Sequence, residues 1–264
     1  MSRNNIEAVI KKIPLLSGLS FGDINIKKLS GLTNRNYHLI TSGQHYVLRI
    51  PKKSTDVFIN RANESHNADI AQALSIAPKN LWRGGGKLVG ASLTEFIANA
   101  SYLKSSDQQG IDNLAQTLVI LQESKKTFKG LLDNQKIVQH LKQYFRLCSD
   151  KQQKILKAEY NKTLLLLGSQ RSNRPVVPAH VDLVAENILQ KHKSTYLIDW
   201  EYSAMASPFW DIATVCNSNN LDVNESEYFL KMVLKNCQTK DLQSLKDYQF
   251  ITKTVSNCWK SAFS

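Results

Sequence analysis

The residues best suited to chemistry sit in one stretch, His180-Val181-Asp182-Leu183-Val184-Ala185-Glu186-Asn187, followed by Leu197-Ile198-Asp199-Trp200-Glu201-Tyr202. Asp182 and Asn187 lie five apart in a segment too irregular to be one helix, and Asp199 ends an apolar, strand-like run. Phosphoryl transfer needs a carboxylate to orient an attacking hydroxyl and oxygen ligands for a Mg²⁺ that bridges the ATP phosphates. Asp182, Asn187 and Asp199 supply that set. The H-x-D-x₄-N pattern is weak alone, and the downstream Asp-aromatic-Glu run gives the combination its specificity. A single Asp or Asn in a loop is ordinarily a turn former, so the inference rests on three in order. His180 and Asp211 read as braces of this loop rather than as reacting groups.

Such residues need a scaffold, and the pattern provides two kinds. Ile6, Val9, Ile10 and Ile13 recur at helical spacing up to Pro14, which predicts an amphipathic helix. The period then shortens, and residues 24–29, 36–41 and 45–50 read as strands, with Ser42-Gly43 turning between the last two. Residues 60–75 read as a helix with Ala62, Ala68, Ile70, Ala71 and Leu74 inward. A further hairpin is expected from Trp82, the Gly84-Gly85-Gly86 turn, residues 87–89 and residues 93–97. No Gly-Lys-Ser/Thr follows those glycines, so they read as a turn and not a phosphate loop.

Beyond residue 99 helices dominate, over 111–121, 135–148 and 152–167, then a β-like island interrupts at 176–189 and 195–200, and helices run from there to the end. Ile137, Leu141, Tyr144, Phe145 and Cys148 share one helical face, read as core. The expected class is α+β, with a β-rich N-terminal lobe over 1–97 and a mostly helical lobe over 98–264. A small ligand would bind in the cleft between them.

Composition sets the boundaries. At 264 residues with 42% hydrophobic and 21% charged, the chain can bury a sizeable core without staples. Cys148, Cys216, Cys237 and Cys258 are too scattered for a zinc site or disulfide framework, so reduced thiols and a cytoplasmic setting are expected. Residues 1–12 lack the apolar segment of a signal peptide, and the longest clear aliphatic run, 164–167, cannot span a bilayer, so no membrane insertion is expected. The net charge is +12, and between Ile120 and Leu164 ten Lys or Arg face four Asp or Glu. Lys125, Lys126 and Lys129 cluster without a nucleic-acid signature, so the excess reads as a solvated or steering surface, with no specific nucleic acid expected. Nothing in the sequence fixes an oligomeric state.

The chain also resembles the aminoglycoside phosphotransferase and choline kinase superfamily, and within it the bacterial choline kinases. The resemblance rests on Ser30-Gly31-Leu32-Thr33-Asn34-Arg35-Asn36-Tyr37, Tyr46-Val47-Leu48-Arg49-Ile50-Pro51, Ile59-Asn60-Arg61-Ala62-Asn63-Glu64, the Asp199 to Ser203 stretch and Trp210-Asp211-Ile212-Ala213, all in family order. It implies a two-lobed protein-kinase-like fold and ATP- and Mg²⁺-dependent phosphorylation of a small alcohol, choline first.

By the same resemblance Asp182 is the catalytic base, and Asn187 and Asp199 hold Mg²⁺. Arg49 replaces the usual kinase lysine and pairs with Glu64, and Thr33, Asn34 and Asn36 cover the phosphates. Glu95, Phe96 and Ile97 meet the adenine. Trp200, Glu201, Tyr202 and Trp210 fall near the acceptor, with Trp259 a further aromatic candidate for a quaternary ammonium. Ser30 stands where the family often has glycine, as does Ala204, and the chain ends soon after Trp259-Lys260-Ser261, where another helix is expected. Thiamine, ethanolamine and aminoglycosides are alternative acceptors. A kinase-like binding protein without turnover is the other alternative, disfavoured by the intact Asp182, Asn187 and Asp199 set.

Overall fold

The computed structural model describes residues 3–31, 33–52, 59–104, 107–169 and 174–263, with side chains from Ile6 onward. Leu32 of the phosphate-loop motif lies outside them. A five-stranded sheet of order β1-β2-β3-β5-β4 forms the first lobe, from β1 (Asn25–Lys28), β2 (Asn34–Thr41), β3 (Gln44–Pro51), β4 (Asn80–Arg83) and β5 (Ser92–Glu95). β2 and β3 pair antiparallel from Asn34↔Pro51 to Thr41↔Gln44, turning through Ser42 (φ 46°) and Gly43 (φ 76°). Two successive left-handed residues match the twist of the strands they join. Alternation then divides the sheet. Tyr37, Leu39, Leu48, Ile50 and Leu93 pack with Ile6, Val9 and Ile10 of α1 (Arg3–Ile10) and with Ile13, while Asn36 and Arg49, paired in register, share the opposite face.

The second expected hairpin differs from the sequence reading. Its strands are β4 and β5, whereas Gly86–Leu88 is a 3-10 turn. The reason is steric: a Cβ at Gly84 would meet the Leu88 carbonyl oxygen at 2.4 Å, so the glycine run folds back on itself instead of extending.

The second lobe is built on α3 (Gln108–Gln122), α4 (Asn134–Leu147), α5 (Asp150–Ser169), α6 (Pro208–Ser218), α7 (Val223–Val233) and α8 (Thr239–Phe263). Ile111, Leu114, Leu118 and Leu121 of α3 are buried at helical spacing in its main core. Two three-stranded sheets flank the stretch that carries Asp182. One has the order β10-β9-β6, from β10 (Ser194–Leu197), β9 (Ile188–Lys191) and β6 (Ser101–Tyr102). The other has the order β7-β11-β8, from β7 (Leu131–Leu132), β11 (Ala204–Ala206) and β8 (Val177–Ala179). The expected β-like island is thus mostly loop, with its backbone groups satisfied at either end. No helix of the described residues is long and apolar enough to cross a membrane.

The helix α2 (Arg61–Ala73) lies between the lobes. Asn60 caps its start, accepting from the Ala62 and Asn63 amides at 3.1 Å each. Ala71, Ala68 and Ile70 pack with the core of the helical lobe, and none of α2 joins the core of the sheet. Asn67, fully buried, donates to the Lys129 carbonyl (3.0 Å) and the Ser203 carbonyl (2.9 Å), and accepts from the Lys129 amide (2.8 Å). Asn67→Ala strands three buried backbone groups and is expected to cost about 2–4 kcal/mol in denaturant unfolding; an unchanged midpoint would remove Asn67 as the joint.

A second joint fixes α8. Arg174 grips Asp241 with two nitrogens, Nε to Oδ1 at 3.1 Å and Nη2 to Oδ2 at 2.6 Å, and Asp241 also accepts the Gln238 amide. The Arg174 hydrogen bond holds the Asp241 carboxyl below its ordinary value of 3.8, so the stabilisation is present above that value and is lost as pH falls below it. Asp241→Asn should lower the melting temperature at pH 7, and the gap to wild type should narrow below about pH 4.

Candidate functional site

The loop carrying Asp182 is held by groups behind it. Val181 adopts a left-handed conformation (φ 73°), which a β-branched residue takes only under constraint. Asp211, at the start of α6 and fully buried, supplies that constraint by accepting from the His180 amide (2.7 Å) and the Val181 amide (2.8 Å). The Trp210 indole N–H donates to the Val181 carbonyl at 2.8 Å. Burial pushes the Asp211 carboxyl up to about 6, against the pull of those two amides. The His180 ring shares its Nε2 with the Ile198 carbonyl at 2.9 Å, so that nitrogen carries the proton. Burial lowers His180 to about 4, which leaves it a neutral brace near pH 7.

In front of this support, the Asn187 side chain donates to the Asp182 carbonyl (2.8 Å) and to its carboxylate (3.1 Å). Asp199 follows the strand in a left-handed conformation, φ 66°. Burial first, then the Asp199 and Glu201 carboxylates, raise Asp182 to about 7, with Asn187 opposing. Burial and Asp199 likewise bring Glu201 to about 7, opposed by Arg49 and Asn34. Burial raises Asp199 as well, against Arg49.

The sheet and α2 answer this charge with a closed ring of side chains. Asp199 accepts from Arg49 Nη1 at 2.8 Å, and Arg49 Nη2 pairs with Glu64. Glu64 also accepts from Arg61 Nη1 (2.8 Å), which reaches Glu201 at 3.2 Å. Asn34 closes the circuit, its Nδ2 lying 3.0 Å from Glu201 and 3.3 Å from Asp199. Burial alone would lower the Arg49 guanidinium, but Glu64, Asp199 and Glu201 outweigh it and hold it firmly charged. Beside the ring, Asn34 also reaches Thr33 Oγ1 (3.2 Å), and Asn36 donates to the Ser30 carbonyl (3.1 Å). The bend is tight: a Cβ at Gly31 would sit 2.6 Å from the Asn34 carbonyl oxygen.

The other expected residues divide. Phe96 follows β5 and stacks on His38 of β2 with ring centroids 4.0 Å apart, and Glu95 accepts the Lys79 amide, so both are tied to the sheet where the chain leaves it. Trp200 and Trp210 do not wall the cleft. Trp200 is buried against His180 and Phe128 with its indole N–H on the Leu197 carbonyl, and Trp210 is buried beneath Val181. Their aromatic faces are covered by core, so the expectation of acceptor contact is corrected for both. Glu201 is buried and occupied by Asn34 and Arg61 rather than open to a ligand. Trp259 lies on α8 against Phe263, in the cluster joining α4, α5 and α8.

Of the two tyrosines near Asp182, sequence reading expects Tyr202 at the acceptor and misses Tyr144. The Tyr202 hydroxyl is buried without a partner among the described residues, and burial followed by Glu201 pushes it up. Tyr144 of α4, read only as core, sits close enough to feel the Asp182 charge and is raised to about 12, mainly by burial. Arg61 gave no signal beyond its place in the motif around residue 60.

The donors suit Mg²⁺ and a polyphosphate. Glu64, Asp199 and Glu201 bring carboxylate oxygens within 4.8 Å of one another, and hard divalent cations take oxygen ligands. Asn34 Oδ1 and Arg49 Nε are buried without partners among the described residues, one an acceptor and one a donor. Asp199 and Asn187 could hold the cation, and Arg49 and the 33–36 bend could meet phosphates.

A two-lobed α+β fold with a strand cation paired to a helix glutamate, opposite a loop carboxylate, defines the protein-kinase-like class. The chain belongs to the phosphotransferase enzyme family, whose model matches residues 25–246. It is similar to Protein LicA of Haemophilus influenzae, 28% identical over 218 residues, which are 79% of this chain and 62% of that protein. The matched part thus spans less than two thirds of that relative's length. A second LicA from a named strain of the same species is 29% identical over 76% of each chain. Among solved structures, the choline kinase LicA of Streptococcus pneumoniae shares the fold at TM-score 0.78 and 24% identity, covering 98% of this chain and 90% of that one.

The support behind the loop is testable by itself. In Asp211→Asn one acceptor becomes an N–H₂ group facing the amides of residues 180 and 181. The change should destabilise the fold by about 2–4 kcal/mol in denaturant unfolding, and wild-type stability would refute the anchoring role.

Proposed function

We propose that this protein is an ATP- and Mg²⁺-dependent kinase that phosphorylates the hydroxyl of a small amino-alcohol, with choline as the first acceptor. The observation that carries the reading is the juxtaposition of Asp182, fixed by Asn187, with Asp199, which Arg49 engages from the opposite lobe. Asp182 orients the acceptor hydroxyl and takes its proton, and a carboxyl raised to about 7 is well matched to that task near neutral pH. Asp199 and Asn187 hold Mg²⁺, which when bound supplies charge neutralisation at the phosphates. Arg49, set by Glu64, contacts the triphosphate bidentately as a lysine could not. Thr33, Asn34 and Asn36 cover it, and residues 95–97 meet the adenine.

The acceptor preference rests on chemistry at the other end. A quaternary ammonium donates no hydrogen bond and is held by aromatic faces and nearby negative charge. Tyr202 brings a ring into the field of Asp182, while the Tyr144 ring is packed in the core that joins α4, α5 and α8. The relatives carry the name LicA, one solved neighbour is titled choline kinase LicA, and another is titled LicA in complex with AMP. The four free cysteines suit a cytoplasmic site of action.

The test is ADP release by the purified chain with Mg·ATP and choline, ethanolamine, thiamine or kanamycin. Choline should stimulate most strongly, and a stronger response to another acceptor would replace it. Asp182→Asn should lower kcat by roughly 10²–10⁴-fold with nucleotide affinity kept, and Asp199→Ala should abolish metal-dependent turnover. Full activity in either variant would sink its assigned role.

A further inference from the structure

Arg61 has no part in the mechanism as stated, yet it is built into the site. Its side chain is 10% exposed, and one nitrogen, Nη1, serves both Glu64 and Glu201, whose carboxylate is almost wholly buried. Its stem lies over Gly90, whose φ of 86° already favours glycine. A Cβ there would come within 2.7 Å of Arg61 Nε, 2.8 Å of Pro51 Cγ and 3.0 Å of Arg61 Cδ, while the Gly90 carbonyl accepts from Arg49 at 3.2 Å. Gly90, two residues before β5, therefore lies against both guanidiniums.

Around the ring the charges alternate, from Asp199 through Arg49, Glu64 and Arg61 to Glu201, and Asn34 spans the single place where two carboxylates adjoin. Without Arg61, Glu201 would keep the Asn34 amide and the Thr33 hydroxyl but lose its guanidinium, and would compete with Asp199 for Asn34 and for Arg49. The bend over the phosphates and the phosphate-binding guanidinium would then lose their common reference. Asn67, two turns along α2, ties that helix to the Ser203 backbone, so Arg61 reaches Glu201 from a fixed platform.

We propose that Arg61 is a positioning residue for phosphoryl transfer, holding Glu201 and Glu64 in register so that Asn34 and Arg49 are both set against Asp199. The inference rests on the phosphotransfer reading above. It concerns the nucleotide half of the site, so acceptor affinity should be unaffected. The contacts to Glu64 and Glu201 use one nitrogen, and a lysine ammonium with its three donors can make both of them.

The experiment compares the full chain with Arg61→Gln, Arg61→Lys and Gly90→Ala. Mg·ADP affinity is read by calorimetry, which needs no acceptor, alongside kcat and acceptor KM. Arg61→Gln should weaken Mg·ADP by about tenfold and lower kcat by up to about 10²-fold, with acceptor KM within about twofold. Arg61→Lys should recover most of both losses. Gly90→Ala, which crowds the stem and Pro51 at a positive φ but keeps the charge, should fall between.

Wild-type affinity and kcat in Arg61→Gln would overturn the proposal, and so would equal losses in the lysine variant, which would mark a merely structural role. If Arg61→Gln fails to fold, the lysine and Gly90 variants decide on the same readouts. A wild-type chain that binds Mg·ADP but turns over no acceptor would refute the acceptor reading while the affinity comparison still judges Arg61. A wild-type chain that binds no Mg·ADP would refute both.

Discussion

Three carboxylates lie close together out of water, and the rest of the site follows from keeping them there. Glu64, Asp199 and Glu201 would repel one another in a low-dielectric interior, and desolvating each is costly. Two guanidiniums placed between them offset most of that cost, and one amide covers the remaining gap. The set still carries one net negative charge, with Asp182 and its raised carboxyl adjacent. A site so composed is held together by its own ion pairs and still has room for added positive charge. On the proposed reading, Mg²⁺ brings that charge with the nucleotide, and the triphosphate then competes for Arg49.

The ring also explains why α2 belongs with the helical lobe. Its apolar residues pack there, and Asn67 fastens it there through backbone groups on either side of the site. Arg61 and Glu64 therefore project from the same platform that carries Asp199 and Glu201. Only Arg49 and Asn34 come from the sheet, and Gly90 positions the first of them. The sheet also meets α2 directly, through Arg83 on Asp69 (2.7 Å) and the Asn80 amide on Gln72 Oε1 (2.7 Å). On the proposed reading, Arg49 and Asn34 join the lobes with the same side chains that meet the phosphates.

Much of this was legible in the sequence, for identifiable reasons. Periodicity exposed α1, the β2–β3 hairpin and the faces of α3 and α4, because those elements are amphipathic and border one core each. Asp182, Asn187, Asp199, Arg49 and Glu64 were found because their types and order are chemically demanding. What stayed hidden depends on long-range contact. Trp200 and Trp210 look like ligand-facing aromatics by position, and only the fold reveals that His180, Phe128 and Val181 cover them. Tyr144 sits on a face read as core, and a buried tyrosine gives the same periodic signal whether or not it neighbours a carboxylate. Residues 87–89 appeared strand-like because a contact between Gly84 and Leu88 has no local signature.

Asymmetry across the cleft bears on the acceptor. On the proposed nucleotide side most polar groups have protein partners, through the ring and through the Asn36 contact to Ser30, and Asn34 Oδ1 and Arg49 Nε, without partners among the described residues, are left for a ligand. Around Asp182 the surroundings are different: the polar contacts are with Asn187 of its own loop, and Tyr202 places a hydroxyl there with no partner among the described residues. A ligand recognised by many hydrogen bonds, such as a sugar ring, would need donors and acceptors in number beside that carboxylate. A compact cation with one hydroxyl needs only the carboxylate for the hydroxyl, aromatic surface for the charge, and an excess of negative potential nearby. On the proposed reading, Asp182, the Tyr202 ring and the residual charge of the ion-pair ring combine those features, and an amino-alcohol is then a better physical match than an aminoglycoside.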